Sequence, residues 1–277
     1  MATTQQKKAE PKKSQGFQGV RGAIWIIVAC FIIAVCIYKF VFGNADNFVG
    51  GDPEAAVKNG NLLGTIYKGG IVVPVIQTLL LTVIALSIER FLALRTAFGK
   101  SSLTKFVKGI KEALKSGDMD KAQQLCDKQK GSVANVVGAT IKKYKEMEAT
   151  SGIEKEQKVA QIQQAHEEAT QLEMPTLQMN MPILATLVTL GTLTGLLGTV
   201  TGMIKSFAAL AAGGGGDSLA LSTGISEALI NTAFGILTSW CAVVSYNYFS
   251  NKIDKLTYAL DEVGYSIAQT YNSTHEA

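Results

Sequence analysis

Four long apolar blocks alternate with polar segments along this chain. The first runs from Gly22 to Phe42 and is interrupted only by Lys39. The second, Gly69 to Ile88, and the third, Met174 to Ile204, carry no charge, and the fourth, Ser218 to Asn251, holds only Glu227. A bilayer core of about 30 Å needs about 20 apolar residues in a helix. The last three blocks meet that length outright. The first meets it if the Lys39 ammonium snorkels to the interface. The pattern predicts an all-α, polytopic membrane helical bundle with long helices extending into the cytoplasm.

Composition agrees. Charged residues make up 17% of the chain and mean hydropathy is +0.21, against about 25% charged residues in ordinary soluble domains. Charge also sets an orientation, because cytoplasmic segments carry excess lysine and arginine. Residues 1–21 hold Lys7, Lys8, Lys12, Lys13 and Arg21 against Glu10, and the second block ends in Glu89-Arg90-Phe91 with Arg95 close behind. Both chain termini are therefore expected inside, with four crossings.

The predicted partition follows. Residues 1–21 form a basic disordered cytoplasmic tail, 22–42 the first span, 43–68 an outer loop and 69–96 the second span. Residues 97–173 form a cytoplasmic helical region, 174–211 the third span, 212–218 an outer glycine-rich hairpin, 219–251 the fourth span and 252–277 a cytoplasmic tail. A rival stays open at the N-terminus. A basic head, an apolar run and Gly43-Asn44-Ala45 resemble a signal peptide with its cleavage site, but the run is long for that and Lys39 precedes the site. Retention of the first span is the expectation.

In the polar middle, Phe106, Ile110, Ala113 and Leu114 recur at helical spacing. Ser116-Gly117-Asp118 reads as a stop and a new N-cap. A helix bearing Ala122, Leu125 and Cys126 follows, then an amphipathic one over Val133 to Met147. The stretch from Ile153 to Leu172 is predicted to run directly into the third span as one long helix, with kinks at Pro175 and Pro182.

Enzyme signatures are absent. The two histidines, His166 and His275, lie in polar segments, and no metal-ligand spacing, nucleophile elbow or phosphate loop occurs. Gly213 to Gly216 lacks the lysine of a phosphate loop. No catalytic residue, metal, cofactor, disulfide or nucleic-acid partner is expected.

The last two blocks carry the candidate chemistry. Gly191, Gly195, Gly198 and Gly202 fall on one helix stripe, which lets backbones approach closely in lipid. Beside it run Thr192, Thr199 and Ser206. On the next helix Thr223, Glu227, Asn231, Thr238 and Ser245 share a face, and Thr232, Ser239 and Tyr246 make a neighbouring line. A carboxylate inside a span costs about 2.5–3.5 kcal/mol and normally faces a bundle interior or a water path. Glu227 is thus either a pathway residue or half of a structural ion pair.

At these residues the sequence resembles the ExbB/TolQ/MotA proton-channel family, most nearly ExbB. The carrying motifs are Gly195-Leu-Leu-Gly-Thr-Val-Thr-Gly-Met-Ile-Lys-Ser-Phe207 and Gly224-Ile-Ser-Glu-Ala-Leu-Ile-Asn-Thr-Ala-Phe-Gly235. Ile88-Glu-Arg-Phe91 and Gly117-Asp-Met-Asp-Lys-Ala-Gln-Gln-Leu-Cys126 also fit, and the likeness covers roughly residues 70–260. The resemblance implies a homopentamer in the inner membrane of a Gram-negative cell, with the outer segments periplasmic. It implies an ExbD/TolR-like single-span partner, whose membrane aspartate carries the proton, and a TonB-like protein beyond it. Thr199 and Thr232 match the family's pore threonines and Glu227 its membrane glutamate; Asn231 and Thr192 are grouped with them along the pathway. The first span is extra to the three-span ExbB plan.

Depth arithmetic adds one expectation. If Thr199 and Thr232 lie level, Lys205 and Glu227 are each roughly 8 Å further out at helical rise. They are expected to pair between helices, within or between subunits. The function expected is that of a subunit of a proton-driven motor for TonB-dependent transport. A TolQ-like role in envelope integrity and division, a non-conducting oligomeric scaffold and a substrate transporter are the rivals.

Overall fold

The computed structural model describes residues 22–53, 55–58, 60–212 and 218–274. The basic tail 1–21, the glycines of 213–216 and His275 lie outside the described residues. What is described is all-α, with four helical segments long and apolar enough to cross a membrane. The protein is a multi-pass membrane protein. The described residues divide into two units, 22–90 with 179–250 and 91–178 with 251–274.

In the first unit, α1 (Ala23–Ile37) exposes Ile24, Trp25, Phe31, Ile32 and Ile33 and buries only Ala23, Cys30 and Ala34. Such an outward apolar surface suits hydrocarbon rather than water. A wider π-type turn, Tyr38–Phe42, ends it. The loop that follows is an ordered cap rather than a plain connection. Asn47 donates through Nδ2 to the carbonyls of Val41 and Phe42 at 2.8 and 2.9 Å, and accepts from Asn61 at 2.9 Å. Phe48 is fully buried, edge-on to Tyr67, whose ring stacks on Tyr38 at 4.7 Å. Asn61 caps the short α2 (Leu62–Tyr67) by accepting from the amides of Leu63 and Gly64. A turn through Gly69 and Gly70 then starts α3 (Val72–Phe98).

The third span does not continue from one unbroken helix. The structure ends α7 (Lys155–Gln178) and starts α8 (Met181–Ala212) after a two-residue break. The break falls at Asn180, which has φ +62°, a left-handed conformation that asparagine tolerates better than most residues. Neither proline causes it. Pro175 sits inside α7. Pro182 lies in the first turn of α8, where its missing N–H costs nothing. Asn180 also donates to Glu89 at 3.2 Å, and Glu89 grips the fully buried Arg90 through two oxygens at 2.5 and 2.6 Å.

The second unit is built on amphipathic stripes. Here α4 (Leu103–Lys115) buries Phe106, Ile110, Ala113 and Leu114, the spacing the sequence displays. Gly117 at φ +69° reverses the chain, and Asp118 caps α5 (Met119–Gln129) by accepting from the Lys121 amide at 2.8 Å. Next come α6 (Gly131–Ala149) and α7. Residues 252–274 are helical, the end of α9 (Ser218–Thr274). There Ile253, Leu256, Leu260, Val263, Ile267 and Tyr271 are buried along one face. Tyr271 meets Tyr144 of α6 edge-on at 4.9 Å, and Lys111 of α4 pairs with Glu262 at 2.5 Å.

Candidate functional site

The site grows from the contact between α8 and the first part of α9. All four glycines of the α8 stripe are buried and face α9. A Cβ on Gly191 would stand 2.6 Å from the Ser239 hydroxyl, and one on Gly195 would stand 3.0 Å from the Gly235 Cα. On Gly202 it would meet the Ala228 amide and the Gly224 carbonyl, each at 3.0 Å, and on Gly198 it would overlap the Asn231 side chain. From α9, Gly235 returns the fit: its Cβ would lie 2.7 Å from both the Gly191 carbonyl and the Gly195 Cα. Backbone touches backbone here, and real Cβ atoms do not approach so closely.

That approach brings hydroxyls together across the seam. Thr192 and Ser239 share a hydrogen bond at 2.7 Å. One level along, Thr199 and Thr232 are hydrogen-bonded to each other through Oγ1. Each threonine also points at the carbonyl one turn back on its own helix, Gly195 at 3.3 Å and Ala228 at 3.2 Å. Each reaches the other's carbonyl as well, at 3.4 and 3.5 Å. Two hydroxyls and two carbonyls therefore form one polar group at one depth. Both threonines remain partly exposed, so a molecule alongside can reach them. At a third level Ser206 of α8 donates to the Gly202 carbonyl of its own helix at 3.0 Å and reaches the Leu221 carbonyl of α9 at 3.5 Å.

Glu227 and Lys205 pair within a single chain, Nζ to Oε1 at 2.7 Å. The carboxylate is buried, whereas the lysine side chain is 56% exposed. The expected equality of depth holds between them. Asn231, grouped by sequence with the pathway residues, is turned elsewhere: it is fully buried, against Gly198, and donates to the Gly69 carbonyl at 2.9 Å. Its position next to Thr232 in sequence puts it about 100° round the helix. Sequence reasoning missed the role of the Gly69–Gly70 turn here. The only local signal was the glycine pair itself.

Residues 132–262 match the family model described as the MotA/TolQ/ExbB proton channel family. The matched stretch contains the glycine stripe, Thr192, Thr199, Lys205, Glu227, Asn231 and Thr232. No curated protein matches the chain.

Proposed function

We propose that this chain, whose residues 132–262 match the model of the MotA/TolQ/ExbB proton channel family, is an ExbB-like subunit of an inner-membrane, proton-driven motor that energises TonB-dependent transport. The observation that carries the reading is the joined pair of hydroxyls, Thr199 and Thr232, at one depth and open to a neighbour. None of the four apolar blocks contains an aspartate. The proton carrier then belongs to a partner, an ExbD/TolR-like single-span protein with a membrane aspartate, seated within a homopentamer of this chain.

A hydroxyl offers one proton and two lone pairs. With one of the two protons in the threonine–threonine bond, the other is free to point at a backbone carbonyl or to swing to a visiting carboxylate. A protonated carboxyl instead donates to a hydroxyl lone pair. The same pair of threonines thus holds the partner group in both protonation states. A charge moved through 100 mV releases about 2.3 kcal/mol, so each mechanical step of substantial size draws on several protons.

The test is proton flux into vesicles carrying this chain with its partner. Thr199→Val, close in shape but without the hydroxyl, removes flux while subunit count in images of the complex stays unchanged. Normal flux in both Thr199→Val and Thr232→Val overturns the reading and favours a non-conducting scaffold. A TolQ-like subunit shares the site. Deletion separates the two: loss of energised uptake marks the ExbB-like role, and envelope leakage with division defects marks the TolQ-like one.

A further inference from the structure

The Glu227 carboxylate has a neighbour besides Lys205. Gly70 adopts φ +74°, and a Cβ on it would overlap Oε1 of Glu227 and lie 3.0 Å from its Cδ. One residue earlier, the Gly69 carbonyl accepts from Asn231 Nδ2 at 2.9 Å. Glu227 and Asn231 are one helical turn apart on α9, so the Gly69–Gly70 turn lies along two successive side chains of that polar line. Its own backbone is fixed as well. The Gly69 amide donates to the Ile66 carbonyl at 2.9 Å, the Gly70 amide to Tyr67 at 3.2 Å, and the Gly70 carbonyl accepts from the Val73 amide at 3.2 Å. The turn therefore closes α2 and opens α3 while it leans on α9.

We propose that Gly70 is a positioning residue for Glu227: the turn walls off one side of the carboxylate and leaves it aimed at Lys205. The lysine arrives on a long, half-exposed stem and does not by itself fix the carboxylate. A backbone wall does: a Cβ on Gly70 would overlap Oε1, so the glycine backbone itself closes that side of the carboxylate. The wall also ties Glu227 to the ordered cap, since Tyr67, which accepts from Gly70, stacks on Tyr38. The geometry stands without any statement about conduction. Its consequence, that a proton carrier passing the threonines meets a neutralised pair rather than a bare carboxylate, rests on the channel reading.

A carbodiimide activates a carboxyl group, an amine at contact distance displaces it to form an amide, and the reagent leaves as its urea, carrying the elements of water. Applied to the full chain in membranes, it links Lys205 to Glu227 in the wild type, in a species that migrates as a monomer and is located by peptide mass spectrometry. Gly70→Ala loses the link. Glu227→Asp added to Gly70→Ala restores it, because the side chain is shorter by the methylene that the new Cβ displaces. Gly50→Ala keeps it: that residue has φ +72° with no neighbouring atom within 4 Å, so it carries the backbone strain without the collision. Persistence of the link in Gly70→Ala overturns the proposal, as does its failure to return in the double variant or its appearance only as a covalent dimer. Proton flux is not read, so failure here leaves the conduction reading standing, and loss of flux in Thr199→Val leaves this one standing.

Discussion

Where α8 meets α9 the touching atoms belong to glycine backbones and to threonine and serine hydroxyls. Where the end of α9 packs in the other unit, the buried atoms belong to leucine, isoleucine, valine and tyrosine. The difference follows from the surroundings each pair of helices had to outcompete. Lipid tails are as apolar as leucine, so burying leucine between spans gains little; close backbone packing and interhelical hydrogen bonds supply the attraction instead. Accordingly α8 turns Leu193, Leu196, Leu197, Val200 and Ile204 outward. The second unit surrounds its apolar stripe with charged faces and gains from water exclusion, at about 25 cal/mol per Å² of apolar area. Small residues line the α8–α9 seam, and large ones the buried stripe at the end of α9.

The contrast is broken or sharpened most strongly at leucine. Leu260 is fully buried in the second unit, and Leu260→Ala should cost that unit about 2–5 kcal/mol. Ile32→Ala on the outward face of α1, where the side chain is 58% exposed, should stay within about 0.5 kcal/mol of wild type. Peptide-resolved hydrogen exchange of the full chain in lipid reads both. Equal losses would show that apolar side chains carry the two units alike.

Glycine should reverse the order. In Gly235→Ala the new methyl meets the Gly191 carbonyl and the Gly195 Cα, both backbone and both at 2.7 Å. Nothing there can swing aside, so overpacking of about 1–3 kcal/mol is expected, seen as faster exchange along both helices. Gly138 of α6 has no atom nearer than 3.6 Å to an added Cβ. Gly138→Ala should therefore stabilise by about 0.4–1 kcal/mol through reduced freedom of the unfolded chain. A loss at Gly138, or none at Gly235, would end the distinction.

Legibility in the sequence divides along the same line. The glycine stripe follows from helical period, and the matched depth of Lys205 and Glu227 follows from antiparallel direction once Thr199 and Thr232 are taken as level. The wall at Gly70 does not, because it depends on where a turn comes to rest against a helix more than 150 residues away. The Glu89–Arg90–Asn180 cluster is hidden for the same reason. The break before α8 is not legible either: the prolines near it mark the expected kinks, and a left-handed Asn180 leaves no pattern. The end of α9 is legible in part. Ile253, Leu256, Leu260, Val263 and Ile267 keep helical spacing, but Lys252, Asp254 and Lys255 among them lower the local hydropathy enough to suggest a tail.

The smallest expected effect is one that only the second unit can show, because it depends on a buried titratable group outside the spans. His166 of α7 is buried against Gly264 of α9, and its Nδ1 lies 3.0 Å from the Thr140 hydroxyl of α6. That hydroxyl already donates to the Val136 carbonyl at 2.9 Å, so Nδ1–H is the donor and Nε2 is the bare nitrogen. Nε2 is buried without a hydrogen-bond partner, a tolerable state for an acceptor but a costly one for the N–H that protonation would create. Burial thus holds the imidazole below its ordinary value of 6.5, while the carboxylates of Asp261 on α9 and Glu167 on α7 pull the other way. The unfolded chain then takes up the proton first as pH falls. Stability from this group is complete above pH 6.5 and is lost as pH drops below it toward the lowered folded value. His166→Gln should flatten that acid limb in hydrogen exchange of residues 131–178 and 251–274, with exchange along α8 unaffected. An acid limb that survives the substitution would locate the titrating group elsewhere.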